Sequence, residues 1–277
     1  MTTTPQPRRG VPASQKASVV STPQDPRSNA GAILSSLPPP FRTALLSMYD
    51  GEPQLGSDGE RHSLDGITAI SPGQGMWLYN LCREAKPRTT IEIGMAYGYS
   101  TMYFLAAIRE NGLGHHTAID PFQKCEKWHG IGWRHVQSLG MNDGFRFVEE
   151  KSVSALVHLA DQAETFEVIF VDGNHRFDDV FVDFTLSAEL CPMGGYIILD
   201  DMWMPSIRRA AEFIRLNRID FKQVRTPESN IAVFRRIGED SRDWQHYIEF
   251  FDRDFPRHTR FLKRGVRAVA RLLRRQR

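Results

Sequence analysis

Residues 89–101 read TTIEIGMAYGYST, and this stretch decides the fold because an apolar run breaks at a glycine turn and then enters a helix. Gly94 and Gly98 can adopt backbone angles closed to other residues, and without side chains they let a ligand lie against the main chain. Ser100 or Thr101 is placed to meet the amides left free in the first turn of the helix. The stretch therefore predicts a strand, a ligand-binding turn and a helix in succession.

The glycine spacing separates this turn from a dinucleotide site. Glu92 lies two residues before the first glycine of a G-x-x-x-G pattern, whereas dinucleotide sites use G-x-G-x-x-G to hold a pyrophosphate at a helix N-terminus. A nicotinamide-dependent oxidoreductase is therefore disfavoured. Similar turns also occur where an α/β protein only packs a helix on its sheet, so the rest of the chain has to decide.

Apolar strand candidates alternate with helical stretches beyond Lys86-Pro87. The predicted strands span residues 89–93, 116–120, 145–149, 167–171, 195–200, 219–225 and 230–236. Continuous Ile, Val and Phe runs flanked by helices predict a parallel sheet covered on both faces. Upstream, a helix is predicted from Pro40 to Tyr49, and another begins with an N-cap at Ser71 and a first-turn proline at Pro72.

Composition and charge divide the chain into four parts. Residues 1–40 hold eight of the sixteen prolines and few large apolar side chains, so we expect a disordered leader there. A helical cap or lid is predicted over 41–86 and the ligand-binding domain over 87–240. Nine Lys or Arg residues and no acid lie in 257–277, which leaves about −7 on the remainder (2 − 9). We expect 241–277 to form a basic amphipathic helix.

Cysteine usage and hydropathy indicate a cytoplasmic protein. Cys82, Cys125 and Cys191 form neither a C-x-x-C pair nor the framework of a disulfide scaffold. No apolar run approaches the ~20 residues that span a bilayer, and the N-terminus lacks the hydrophobic segment of a secretion signal. No specific nucleic acid is expected as partner. Contact of the basic tail with a membrane surface, or docking of its apolar stripe on the domain or in a homo-oligomer, stays open.

Acidic side chains follow the strands at the edge where open parallel sheets bind ligands. Asp120 ends the second strand, where a carboxylate can accept both ribose hydroxyls of a nucleoside; the alternative is a cap of the Asp-Pro-Phe turn. Asp172 and Asp200 end two further strands. Because these strands are neighbours ~4.8 Å apart in the predicted fold, the two carboxylates are expected to lie side by side.

Asp172, Asp200 and Asp201 together predict a divalent cation site. Converging carboxylates repel each other unless protons or a cation intervene, and Mg²⁺ takes oxygen ligands while keeping some of its waters. His175, three residues after Asp172, is the candidate general base. The alternative is that the aspartates favour helix dipoles and the histidine bonds backbone.

Aromatic residues crowd the stretch between the second and third predicted strands. Trp128 or Trp133 is placed to stack on a substrate ring, although packing on the rim of the sheet is the favoured interpretation. Trp203 and Tyr97 are better placed to form walls of a substrate site. His62 is expected in a lid formed by residues 60–70.

The glycine stretch resembles motif I of the class I S-adenosylmethionine-dependent methyltransferases, written E/D-x-G-x-x-x-G-x-S/T. The match is complete at Glu92, Gly94, Gly98 and Ser100. The resemblance implies a doubly wound, Rossmann-like α/β sheet of seven strands, in which a hairpin makes the last strand antiparallel. It also implies that S-adenosylmethionine is the cofactor, bound by the four matched residues together with Tyr97, Asp120 and Ser152.

The acidic pattern is similar to that of metal-dependent O-methyltransferases acting on sugar hydroxyls of natural products, and of the related cephalosporin hydroxylase-like proteins. In that group an Asp after strand four and an acidic pair after strand five hold Mg²⁺, with a His three residues after the first Asp. Asp172, His175 and the pair Asp200-Asp201 are the counterparts here, although Asp200 stands where those relatives often have Glu. The similarity runs from about Asp65 to Arg236.

The resemblance implies a Mg²⁺-assisted O-methyltransferase that acts on a small hydroxylated molecule, a sugar or secondary metabolite. The metal would lower the pKa of the acceptor hydroxyl and His175 would take its proton. Two alternatives stay open. One is a metal-independent methyltransferase in which His175 works alone, and the other is a non-catalytic binding protein on the same fold.

Overall fold

A computed structural model describes residues 29–250. A small hairpin pairs β1 (Gln54–Leu55) with β2 (Arg61–His62). The main sheet consists of β3 (Thr89–Ile93), β4 (His115–Ile119), β5 (Phe145–Val148), β6 (Val168–Val171), β7 (Tyr196–Leu199), β8 (Phe221–Val224) and β9 (Ala232–Arg236).

The spatial order of the main sheet is β5-β4-β3-β6-β7-β9-β8. The first five strands in this order pair in parallel, and β9 lies between β7 and β8, antiparallel to both. The predicted fold class is confirmed, with all seven predicted strands present. After β3 the chain adds β4 and β5 on one side of it, and then crosses back to place β6 on the other side. The switch in strand order therefore lies between β3 and β6.

Helices cover both faces of the sheet. Their bounds are α1 (Ala30–Ile33), α2 (Pro39–Tyr49), α3 (Pro72–Ala85), α4 (Tyr99–Asn111), α5 (Ile131–Ser138), α6 (Ser152–Asp161), α7 (Phe177–Leu190) and α8 (Pro205–Asn217). Strand side chains alternate between two apolar cores: Phe170 joins the core of Phe104, and Ile169 joins the core of Phe184. Because both faces are buried, the strands read as continuous apolar runs.

The start of α3 follows the sequence prediction. Ser71 is its N-cap: the Ser71 hydroxyl accepts a hydrogen bond from the Gln74 amide at 3.1 Å, and the Gln74 side-chain oxygen accepts one from the Ser71 amide at 3.2 Å. This reciprocal capping box satisfies two amides that the helix leaves free. Pro72 occupies the first helical position, where its missing N–H costs nothing.

The predicted boundary of the leader at residue 40 was wrong. Residues 30–37 form α1 and the 3₁₀ turn Leu34–Ser36, and they bury Ala30, Leu34 and Leu37 in the core that α2 and α4 share. The surrounding prolines and serines hid this short apolar run in the composition. Residues 1–28 lie outside the described part, so the prediction of disorder there is untested.

The predicted C-terminal helix does not begin at residue 241. Residues 241–250 follow an irregular path, and the Asn217 side chain fastens them by donating to the Ile248 carbonyl at 3.1 Å and accepting from its amide at 2.7 Å. The basic stretch 251–277 lies outside the described residues. Over 29–250, no helix combines the length and apolar character that crossing a bilayer requires.

The close crossing of α3 over α4 depends on Gly75. A Cβ at this position would lie 2.1 Å from the ring of Tyr103, which is fully buried and whose hydroxyl lies 3.1 Å from that of Tyr49. The ring has no free space into which it can retreat, because its neighbours are packed at crystal-like density.

We expect Gly75→Ala to lower the free energy of unfolding by about 1–3 kcal/mol through overpacking, although alanine is the better helix former by ~1 kcal/mol. Urea denaturation measures the difference. Gly31→Ala is the matched control, because Gly31 is helical and exposed with nothing within 4 Å of an added Cβ. Equal stability of the two variants would contradict the tight crossing.

Candidate functional site

The glycine turn after β3 is held against the end of β6. Gly94 has φ +93°, and a Cβ there would lie 2.2 Å from the backbone oxygen of Asp172. Gly98 has φ +85° and is the N-cap of α4, where a Cβ would lie 2.9 Å from the Cα of Gly132. Both glycines are therefore required by the backbone, as the sequence predicted. Gly94 lines the cavity described below, whereas Gly98 faces α5.

Ser100 and Thr101 do not cap the helix, so this prediction was wrong. Their hydroxyls both donate to the Glu92 carboxylate, the Ser100 bond measuring 2.5 Å. Glu92 is fully buried, and Nε2 of His116, also fully buried, lies 3.2 Å from its other oxygen. The two bonds from the Ser100 and Thr101 hydroxyls are what make this buried carboxylate tolerable. Glu92 thus lies beneath the glycine turn and supports it from inside the protein.

We expect Glu92→Ala to lower the free energy of unfolding by about 2–5 kcal/mol, because it leaves the buried hydroxyls of Ser100 and Thr101 without their acceptor and opens a cavity. Chemical denaturation measures the change. Glu149→Ala provides the control, since Glu149 pairs only with the exposed Lys124 and should change stability by less than about 0.5 kcal/mol. A loss of cofactor affinity without a loss of stability would instead restore Glu92 as a direct cofactor ligand.

The Asp120 carboxylate accepts hydrogen bonds from the backbone of the glycine turn and from the backbone of its own loop. One oxygen accepts from the amides of Met95 and Ala96 at 3.2 and 2.9 Å and from the Gln123 side chain at 3.3 Å; the other accepts from the Phe122 amide at 2.7 Å. The turn-capping alternative is confirmed by the Phe122 bond. Asp120 also ties the glycine turn to the end of β4 and lines the cavity.

A cavity of about 840 Å³ opens at the switch in strand order, beyond the carboxyl ends of β3 and β6. Its lining combines the glycine turn, the segment 67–70, both ends of the 121–128 loop and the strand-end acids. Ser152, the first residue of α6, lines it and its hydroxyl bonds Asp183. The predicted lid over 60–70 thus reaches the cavity through 67–70, while His62 does not.

The aromatic residues divide between wall and support. Tyr97 and Trp128 line the cavity and meet edge to face at 4.9 Å. Trp133 packs on Phe145 and Phe147 at the rim of the sheet, as the favoured interpretation had it. Trp203 is 67% exposed and does not line the cavity, so it is not the predicted substrate wall; its indole N–H donates to Asp201 at 2.9 Å.

The acids at the floor of the cavity converge around a histidine. Nε2 of His175 lies 2.8 Å from an oxygen of Asp201 and 3.4 Å from an oxygen of Asp172. Potential ligand atoms of these three residues all lie within 4.8 Å of one another. Asp201 has φ +56°, a left-handed conformation that aspartate tolerates better than most residues, and this turns its side chain back toward His175.

Asp200 is placed differently from its neighbours. It follows β7 next to Asp172, as predicted, but it is 3% exposed and one of its oxygens accepts hydrogen bonds from the side chains of Gln74 and Asn230 and from the Asp201 amide. Neither Gln74 nor Asn230 was among the predicted site residues. Gln74 sits in the capping box of α3 and Asn230 in the β8–β9 connection, so both come from segments with a structural explanation of their own.

The electrostatics of the cluster follow from burial and pairing. Burial, opposed by the bond from His175, raises the pKa of Asp172 to about 6, and burial beside Asp172 raises the pKa of Asp200 well above its ordinary value. Bonds to Asp172 and Asp201 raise the pKa of His175 to about 10. Burial acts to raise the pKa of Asp201, but bonds from His175, Trp203 and Asn230 outweigh it and lower that pKa.

In this arrangement the two carboxylates favour the protonated, imidazolium form of His175. A protonated imidazole donates hydrogen bonds and cannot accept a proton. The carboxylates that hold it are also oxygen ligands suited to a hard divalent cation. The cluster can therefore bind either the histidine proton or a cation.

Residues 91–202 match the family model described as a methyltransferase domain, which covers β3 through β7 and the first residues after β7. The glycine turn and the acid cluster both lie within this range. Over this range the chain matches a methyltransferase domain.

Relatives with curated names match about half of the chain. A catechol O-methyltransferase of Niastella koreensis is 25% identical over 107 residues, 38% of this chain and 46% of the relative. The O-methyltransferase hkm8 of Aspergillus hancockii is 23% identical over 150 residues, 54% of this chain and 57% of the relative. The chain thus spans about half the length of these relatives.

Solved structures show the same fold. The S-adenosylhomocysteine-bound methyltransferase PaMTH1 of Podospora anserina superposes with a TM-score of 0.59 at 15% identity, covering 76% of this chain and 94% of that one. The superposition spans more of the chain than the family model does, so the fold extends to both sides of residues 91–202.

Proposed function

We propose that this chain, whose residues 91–202 match a methyltransferase domain, is an S-adenosylmethionine-dependent O-methyltransferase that uses Mg²⁺ and acts on a small hydroxylated molecule. One observation carries the proposal: a single cavity joins the glycine turn to the cluster of Asp172, His175 and Asp201. A methyl donor held at the turn and an acceptor hydroxyl held at the cluster would then meet inside one cavity.

The turn fits a nucleoside donor. The absence of a Cβ at Gly94 leaves the main chain open to the cavity, and Asp120, Ser100 and Ser152 line the same space. Three of the four donors to Asp120 share its Oδ2, and within the described residues Oδ1 accepts one hydrogen bond, from the Phe122 amide. Because a carboxylate oxygen has two lone pairs, Oδ1 keeps an acceptor position for a ribose hydroxyl.

The acid cluster fits a divalent cation. Asp172 and Asp201 already lie around one point, and the His175 proton between them relieves their mutual repulsion. One oxygen of Asp200 is occupied by three donors, which leaves its other oxygen for the metal. Gln74 and Asn230 fix the orientation of that carboxylate, as partners of metal ligands commonly do.

The proposed reaction needs a deprotonated hydroxyl. A bound donor would supply a methyl group on a sulfonium, and Mg²⁺ held by the acids would lower the pKa of an acceptor hydroxyl. His175 would take the hydroxyl proton as the oxygen displaces the methyl group from the sulfur. For this His175 must be neutral. A cation held by Asp172 and Asp201 would take away both partners that raise the pKa of the imidazole to about 10.

The same argument weighs against the metal-independent alternative. With Asp172 and Asp201 free of a cation, His175 remains bonded to both and keeps its proton at neutral pH. An imidazolium in this position offers no general base.

The cavity wall favours an acceptor with a ring. Tyr97, Phe122 and Trp128 face the space from the side of the loop, and aromatic faces pack well on both aromatic rings and the C–H faces of sugars. We propose a sugar or secondary-metabolite hydroxyl as the acceptor.

We expect Gly94→Ala to weaken S-adenosylhomocysteine binding at least 100-fold, because the added Cβ would have to displace the Asp172 carbonyl 2.2 Å away. Isothermal titration calorimetry measures the affinity. Gly140→Ala is the control, since Gly140 also has positive φ but nothing within 4 Å of an added Cβ. Unchanged affinity in Gly94→Ala would place the donor elsewhere.

We expect Asp172→Asn and Asp201→Asn each to weaken Mn²⁺ binding at least tenfold, because an amide replaces a charged ligand. Mn²⁺ reports on the Mg²⁺ site, and its free concentration is measured by electron paramagnetic resonance. The affinity for S-adenosylhomocysteine should change less than threefold, and Asp143→Asn, in the 3₁₀ turn before β5, should change neither quantity. Full Mn²⁺ binding in both active-site variants would exclude the proposed ligands.

A further inference from the structure

A second cluster of metal-ligating side chains lies outside the cavity, between the β1–β2 hairpin and the loop before α5. Asp58 and His62 come from the hairpin and His129 from the loop. Nε2 of His62 lies 2.8 Å from an oxygen of Asp58, and Nδ1 of His129 lies 3.9 Å from the same oxygen. One ligand atom from each residue falls within 4.8 Å of the other two.

Glycines around this cluster let the backbone of the hairpin and the backbone of the loop before α5 lie close together. A Cβ on Gly56 would lie 2.6 Å from Asp58 and 2.9 Å from His62, and a Cβ on Gly130 would lie 2.4 Å from the Ser57 hydroxyl. The Ser57 amide donates to the His129 carbonyl at 2.8 Å, so main chain joins main chain at this point. His129 itself has φ +49°, a left-handed conformation that is uncommon outside glycine and that histidine tolerates better than most residues.

We propose that Asp58, His62 and His129 form a Zn²⁺ site that fastens the β1–β2 hairpin to the loop 121–130. Two imidazole nitrogens and one carboxylate oxygen are a ligand set that zinc commonly takes, with water in its fourth position. The site is separate from the proposed Mg²⁺ site, whose oxygen ligands suit a harder cation. It does not depend on the proposed methyl transfer.

Zinc binding requires the two histidine rings to tilt. The rings are stacked 3.6 Å apart and nearly parallel, at 3°, so one ion cannot lie in both ring planes as they stand. Both side chains are accessible, His62 at 22% and His129 at 28%, and the carboxylate of Asp58 is 46% exposed. Rotation of the rings about their Cβ–Cγ bonds toward the solvent side would bring the two nitrogens toward one point.

Zinc binding at His129 would affect the cavity through the loop 121–130. Trp128 precedes His129 directly and contacts Tyr97, while Lys127 lies over the Trp128 ring and pairs with Asp65 at 3.6 Å. Both Lys127 and Trp128 line the cavity. A cation that holds His129 against the hairpin would limit the motion of this wall.

Zinc titration of the full-length protein by calorimetry tests the proposal. We expect Asp58→Asn and His62→Gln each to weaken Zn²⁺ binding at this site at least tenfold. Asp58→Asn keeps the turn bond that the Glu60 amide donates to Oδ1, so the hairpin should still form. His158→Gln is the matched control, because His158 also lies beside one carboxylate, that of Glu150, but has no third ligand in the described residues.

Hydrogen exchange localises the binding. Zn²⁺ should slow amide exchange over 54–62 and 123–130 in the wild type and in His158→Gln, but not in Asp58→Asn. Zinc bound at Asp172 and Asp201 contributes equally to all four proteins, because each of them keeps both residues, so it does not affect the comparison between variants. Equal zinc affinity in all four proteins, or slowed exchange only around the cavity floor, would overturn the proposal.

Discussion

The close approach of Gly94 to the carbonyl of Asp172 is the constraint on which the site depends. A hydrogen at the Gly94 Cα is all that fits, since a Cβ would lie 2.2 Å from that oxygen. Hydrogen bonds continue the sheet past the strands: the Gly94 amide donates to Ile119, the Asp172 amide to Ile93 and the Asp200 amide to Val171. The same backbone hydrogen bonds, which continue the sheet beyond its strands, thus position both the glycine turn and the acids. Neither can shift without the other.

Much of this could be predicted from the sequence, because the determinants are local. Continuous apolar runs such as Val168–Val171 predict strands buried on both faces, and polar residues at their ends predict a ligand edge. The adjacency of Asp172 and Asp200 followed from parallel pairing, and the register of Val171 opposite Leu199 bears it out. The capping box at Ser71 likewise requires only residues a few positions apart.

Other features could not be predicted, because they depend on where a side chain points. Glu92 and Ser100 match a binding motif, yet their side chains bond each other, and Glu92 is fully buried beneath the turn. In a strand, alternate residues face opposite sides, so Glu92 shares a face with Thr90 and not with Ile93. The sequence gives no sign of the left-handed backbone of Asp201 either. That backbone conformation determines which carboxylate oxygens lie near His175.

Gln74 shows how the N-terminal segment takes part in the chemistry of the sheet. Its side-chain oxygen closes the cap of α3 on Ser71, and its amide nitrogen donates to Asp200 at 2.7 Å. Because an amide group is planar and rigid, fixing one end orients the other, so the start of α3 sets the direction in which Asp200 presents its remaining oxygen. Segment 67–70, which runs directly into that cap, lines the cavity. Movement of this segment during ligand entry would therefore be transmitted to the acid cluster through a single side chain.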